Sequence, residues 1–138
     1  MNHTSTLAER LRPVGAPTQL PKGSFIFGQG DPAQGVFVVS DGRACLSLSG
    51  QDGVPVWSRI VGPGAILGLP STVSGQPYTL TAVALEKVDA AFVSRQTLCE
   101  MMSRDPELSN QVVRVLSEEL GELRRKISLL NATPGSCD

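Results

Sequence analysis

Aromatic side chains are scarce in this sequence: four Phe, one Tyr and one Trp are the whole complement of 138 residues. That leaves little material for base-stacking platforms. Charge of one sign is also missing. Twelve Lys and Arg against 13 Asp and Glu give a net charge of −1. Neutralising nucleic-acid phosphates needs clustered Lys and Arg, so a nucleic-acid partner is disfavoured. A small anionic ligand needs only one local site and stays open. Histidine occurs once, as His3. No Ser-His-Asp or Cys-His arrangement can be assembled from it, and a cupin-like metal centre lacks its ligands. The three cysteines, Cys45, Cys99 and Cys137, match no zinc, haem or redox spacing. Cys45 and Cys99 read as buried small apolar residues and Cys137 as a free tail thiol. No apolar run approaches a membrane span, and Met1 to Arg12 has no secretory character. Gly28-Gln29-Gly30 and Gly62-Pro63-Gly64 are neither Walker nor dinucleotide fingerprints, and Pro63 removes a donor N–H. Together these absences lead to the expectation of a non-enzymatic cytoplasmic chain with no metal centre.

What is present falls into four stretches. Residues 1–19 read as an N-terminal helix and linker. Thr6 followed by Glu9 has capping-box form, Pro13 and Gly15 stop the helix, and Ala16-Pro17 makes the linker. Residues 20–93 carry short apolar runs punctuated by Gly, Pro, Asp and Ser. The runs are 25–27, 36–39, 44–48, 54–61, 65–69, 78–85 and 90–93. Ala44, Leu46 and Leu48 alternate with Ser47 and Ser49, the period of a strand. Gln51-Asp52-Gly53 is a hairpin turn, and Asp41-Gly42 is a second of the same kind. Many short strands with regular turns predict a mainly β fold with flanking helices.

Residues 94–130 change texture again. Ser94 caps a short helix to about Ser103, with Leu98, Met101 and Met102 as candidate core. Asp105-Pro106 opens a long helix to about Leu130, roughly 37 Å at ~1.5 Å per residue. That is too long for so small a roll to cover. Val113, Leu116, Leu120, Leu123, Ile127 and Leu130 step by three and four, an a/d seam that predicts a homodimer through this helix. Glu122 and Lys126 form an i, i+4 pair on another face. Residues 131–138 are expected to be a disordered tail.

Two stretches resemble the cyclic nucleotide-binding domain family. One comprises Leu20-Pro21-Lys22-Gly23, Gly28-Gln29-Gly30-Asp31 and Val36 to Gly42. The other is Gly62-Pro63-Gly64-Ala65-Ile66-Leu67-Gly68, in the place of the family's phosphate-binding cassette, leading into a loop. The order of roll, short helix and Asp105-Pro106-Glu107-Leu108 resembles the bacterial catabolite-activator and fumarate–nitrate-reduction regulators. The resemblance implies a double-stranded β-helix, or jelly-roll β-roll, and a ligand-sensing regulatory role. The DNA-binding domain of those regulators has no room after Leu130, so direct DNA binding by this chain is not expected. The clustered N-terminal cysteines of iron–sulfur sensors are missing too.

The resemblance also implies a candidate pocket of Gly68, Leu69, Pro70, Ser71, Tyr78 and Thr79, with Leu123 and Arg124 from the long helix. In nucleotide-binding members a Gly-Glu pair holds the ribose hydroxyl, and an Arg before a small hydroxyl residue takes the cyclic phosphate. Here Leu69 stands at the glutamate place and Tyr78 at the arginine place. Leu123 falls at the position of a base-contacting threonine. Losing a charge-assisted contact to a buried anion costs about 2–5 kcal/mol, roughly 30- to 4,000-fold in affinity. The expectation is a degenerate cassette without ordinary cyclic AMP affinity, unless Arg124 or Arg59 supplies the charge. No cofactor is expected beyond a cyclic nucleotide or other small anionic effector. The alternative is a ligand-free dimeric scaffold, its pocket closed by Leu69 and Tyr78, that binds a protein partner.

Overall fold

The computed structural model describes the backbone of residues 3–132 and the side chains of residues 4–121. Helix α1 (His3–Leu11) is followed by a 3-10 turn and strand β1 (Ala16–Leu20). Strands β2 (Phe25–Phe27), β3 (Gly35–Asp41), β4 (Ala44–Ser49), β5 (Pro55–Val61) and β6 (Ile66–Leu67) come next. Helix α2 (Leu69–Ser74), β7 (Thr81–Ala84), β8 (Val88–Ser94), α3 (Arg95–Arg104) and α4 (Pro106–Ala132) complete the order. Two four-stranded antiparallel sheets, β1-β8-β3-β6 and β2-β7-β4-β5, make the expected β-roll with flanking helices.

The first sheet is covered on both faces. Val36, Val38, Ile66, Ala91 and Val93 pack with Leu7, Leu11, Leu98, Leu108, Val112 and Val115 of the helices. The alternate residues Val39, Leu67, Val88 and Ala90 face the roll interior with Ile26, Phe27 and Tyr78. Burial on both faces explains why β3 and β8 read as continuous apolar runs rather than alternating ones. Strand β4 does alternate: Ala44 is buried and Leu46 packs inward.

Several expectations are corrected. Ala16-Pro17 is not a linker but opens strand β1: Ala16 pairs with Phe92 and Leu20 with Val88. The pattern hid this strand because it is an exposed edge carrying a proline. Helix α1 already begins at His3, so Thr6 lies inside it rather than capping it. Asp41-Gly42 is a turn but not a hairpin, because β3 and β4 belong to different sheets. Gly42 has φ of +86°, and a Cβ there would lie 2.2 Å from the Lys87 carbonyl oxygen. Close approach of two backbones at this corner therefore requires glycine. The Gln51-Asp52-Gly53 hairpin joins β4 to β5, with Gly53 at φ +80°. Cys45 is half-buried, and Cys99 is exposed rather than buried; Cys137 lies outside the described residues.

The helical caps follow the sequence. Ser94 Oγ accepts from the Thr97 N–H, and Asp105 Oδ1 accepts from the Leu108 N–H. Leu98 is fully buried, with Met101 and Met102 against the same cluster. On α4 the buried stripe is Leu108, Val112 and Val115. Val113 and Leu120 of the proposed seam are exposed, while Leu116 packs partly on the core. The helix backbone continues to Ala132, past the expected end at Leu130. The side chains of Leu123, Ile127 and Leu130, and the tail from Thr133, lie outside the described residues. Among the described residues no helix is long and apolar enough to cross a membrane.

Candidate functional site

The site is built where β6 runs into α2. Gly68 caps α2 in the left-handed region at φ +85°. A Cβ at Gly68 would lie 2.6 Å from Tyr78 Cε1, so glycine satisfies both the backbone and the ring that leans on it. Helix α2 is one short turn that the sequence did not announce. Six residues with a proline in the first turn carry too little periodicity to be seen. Its end is tied down by Arg95, whose Nε donates to the Thr72 carbonyl oxygen at 3.0 Å.

Tyr78 is buried, at 4% exposure. Its main chain is fixed by two bonds to the preceding turn. The Tyr78 N–H donates to the Asp31 carbonyl at 2.9 Å, and the Gly30 N–H donates to the Tyr78 carbonyl at 2.8 Å. Its ring stacks on Phe27 with centroids 3.9 Å apart and planes 12° from parallel. The hydroxyl donates to the Gly35 carbonyl at 2.6 Å and accepts from the Gly35 N–H at 3.3 Å. Burial pushes the phenol above its ordinary range, and the Gly35 backbone bond is the chief opposing influence. Among the described residues the fully buried Thr72 hydroxyl makes no well-formed hydrogen bond, although it too opposes the rise at Tyr78. The phenol is therefore held neutral at ordinary pH.

The predicted pocket residues separate. Gly68 and Tyr78 touch, and Ser71 is buried beside them in sequence on α2. Leu69 does not face the roll interior. It is fully buried in the other core, among the helices and the outer side of β3 and β8. The left-handed turn at Gly68 sends the next side chain to that side. Leu69 therefore closes no pocket, and that part of the expectation is corrected. Pro70 and Thr79 are exposed. Arg59 is an exposed residue of β5 opposite Leu46. The side chain of Arg124, like that of Leu123, lies outside the described residues.

Next to Tyr78 a cleft of about 340 Å³ opens at the mouth of the roll. Phe27, Phe37, Phe92 and Tyr78 line it with Ile26, Asp31, Pro32 and Gln34. A neighbouring groove of about 310 Å³ runs past Gly30, Pro32, Gly75, Pro77 and Arg95. Sequence reasoning missed Phe27, Phe37 and Phe92 as site residues. The register Phe37 opposite Phe92 would have exposed them, but pairing partners are not visible in one sequence.

The fold and the turn from β6 into α2 define a β-roll with a cassette-like corner, and the comparison with known families agrees. The chain belongs to the cyclic nucleotide-binding domain family, whose model matches residues 17–105. Among curated relatives it is 28% identical over 116 residues to a CRP-like cAMP-activated global transcriptional regulator of Mycobacterium tuberculosis. That match covers 84% of this chain and 50% of the relative. It is 31% identical over 134 residues to the transcriptional activator protein Anr of Pseudomonas aeruginosa, covering 95% of this chain and 51% of the relative. The chain thus spans about half the length of these relatives. The crystal structure of Thermus thermophilus catabolite activator protein superposes with a TM-score of 0.81 at 23% identity. It covers 91% of this chain and 59% of that one. At that identity the likeness speaks for the fold alone.

Proposed function

We propose that this chain is the non-enzymatic sensing domain of a cytoplasmic regulator, with a cassette that does not take cyclic AMP with ordinary affinity. Two copies pair along α4, and an effector in the roll biases that pairing. One observation carries the reading of the cassette: a neutral, buried phenol, bonded to the Gly35 backbone, occupies the place where a cyclic phosphate would need a guanidinium. The exposed Val113 and Leu120 support pairing, since they continue the 3-4 spacing on the face of α4 away from the core. The names of the two curated regulators support the regulatory role. The open cleft beside Tyr78 favours a sensor over a closed scaffold.

Calorimetric titration with cyclic AMP and cyclic GMP tests the cassette. No saturation below about millimolar concentration is expected for either. Micromolar binding by the unaltered chain would overturn this reading. Light scattering tests the pairing. The chain should scatter as a dimer, and Leu120→Arg should make it a monomer with unchanged circular dichroism, because a charge would sit in an apolar seam. A Leu120→Arg chain that remains a dimer would place the interface elsewhere.

A further inference from the structure

The rings of this chain are few, yet most of them meet at one place. Phe27, Phe37, Phe92 and Tyr78, four of its six aromatic residues, line the cleft at the roll mouth. Phe37 and Phe92 lie 4.9 Å apart at 51°, and Phe27 and Phe37 lie 6.1 Å apart at 33°. The stacked Phe27–Tyr78 pair is almost wholly buried, whereas Phe37 and Phe92 are only half-buried and keep accessible surface.

The charge at this cleft has one sign. Among the described residues Asp31 is its only charged lining residue, and Arg95 lines the neighbouring groove instead. Asp31 Oδ2 accepts from the Gly28 N–H at 3.0 Å, which fixes the side chain on its turn. Its Oδ1 has no hydrogen-bond partner among the described residues. The carboxylate and the Tyr78 phenol line the same cleft, and Asp31 adds to the upward displacement of that phenol.

Aromatic faces carry negative potential and attract cations, most strongly those that are poorly hydrated. A carboxylate at the rim adds attraction of the same sense. A volume of about 340 Å³ suits a small organic molecule rather than a bare metal ion. We infer that the aromatic cleft of Phe27, Phe37, Phe92 and Tyr78, rimmed by Asp31, is a binding site for a small organic cation with apolar substituents, such as an alkylammonium. This deepens the sensing function proposed above and rests on it, since it names the effector class that an uncharged cassette leaves room for. Among the described lining residues, an anion would meet the ring faces and Asp31 with no cation to hold it there.

The test uses the purified chain, with choline as the probe and its neutral isostere, in which carbon replaces the quaternary nitrogen, as the control. Binding is followed by calorimetry and by the ring-current shift of the probe's methyl protons. Choline should saturate and bind at least about ten-fold more tightly than the isostere. Asp31→Asn keeps an acceptor for the Gly28 N–H, so the fold should survive while choline binding falls about five-fold. Phe92→Leu should weaken it about ten-fold, with circular dichroism unchanged. Raised salt should weaken choline binding and leave the isostere alone, because Asp31 is exposed. Absence of saturable choline binding, equal binding of the isostere, or retention of affinity in both variants would each overturn the inference. Tight cyclic AMP binding would overturn the reading of the cassette; failure of choline alone would leave that reading standing.

Discussion

The two faces of the first sheet have opposite characters. Toward the helices, Val36, Val38, Ile66, Ala91 and Val93 meet only aliphatic partners, and no aromatic side chain belongs to that cluster. Toward the roll, the same strands meet Phe27 and Tyr78 over the small side chains Ala44, Ala82, Ala84 and Ala90. Branched aliphatic chains interlock and leave few voids. Flat rings standing over alanines fill space less evenly, and a cleft remains at the rim. The contrast assigns the work of the two cores. One holds α1, α3 and α4 against the sheet. The other retains an opening and a buried hydroxyl.

The harshest test of this division is Leu69→Glu. If position 69 faced the roll interior, as cyclic nucleotide-binding relatives would suggest, glutamate there would be tolerated and could even meet a ribose. In the aliphatic core it would be an unpaired buried carboxyl. The expected loss is more than about 3 kcal/mol in urea unfolding, with collapse of near-ultraviolet circular dichroism. A folded variant of unchanged stability would break the comparison. The same logic makes Tyr78→Arg, without change at 69, the proper attempt to restore a phosphate contact.

Tyr78→Phe sharpens the other side. It keeps the ring on Phe27 but strips the Gly35 carbonyl and N–H of their side-chain partner. A loss of roughly 1–2 kcal/mol is expected, read as a lower melting midpoint. The phenol should also reveal itself by pH. Its value is raised above the ordinary 10.0 by burial, so the neutral form is favoured in the fold. The stabilisation it gives is present below that value and is lost as pH rises through the higher folded one. With a single tyrosine in the chain, ultraviolet difference titration reads this group directly. Ionisation at or below the value of free tyrosine would contradict the buried hydroxyl.

The reading of sequence succeeded where local chemistry dictates the outcome. Ser94 and Asp105 cap their helices because their side chains reach N–H groups three residues on. The strands from Phe25 to Val61 lie where short apolar runs end in glycine turns. It failed where the decisive partner is remote. Residues 16–20 become a strand only because β8 offers an edge. Gly42 turns a corner between sheets, rather than a hairpin, because Lys87 and Val88 cross it closely. The candidate site was half legible. Tyr78 and Gly68 do meet, since the family pattern fixes both. Leu69 went to the other core because one left-handed residue decides which side of the sheet it enters. Phe27, Phe37 and Phe92 come from three separate strands, and nothing local joins them.

The smallest effect belongs to the aliphatic side, at its rim. Asp105 receives the Leu108 N–H and also the Arg10 guanidinium of α1, which in turn donates to Gln111 at 3.0 Å. Its carboxyl is held below the ordinary 3.8, first by the Leu108 N–H and then by Arg10. A depressed carboxyl stabilises the fold above its unfolded value and loses that contribution as pH falls through the folded one. Asp105→Asn retains an acceptor for the cap but removes the charge that faces Arg10. The variant and the parent should therefore differ slightly in melting midpoint at about pH 5, and the difference should shrink as pH falls through the folded value. Such convergence would assign the latch between α1 and α4 to a half-buried ion pair added to a core already closed by Leu7, Leu11 and Leu108. A difference that persists in acid would instead make the aspartate part of the packing, and the aliphatic face would then be less self-sufficient than its composition implies.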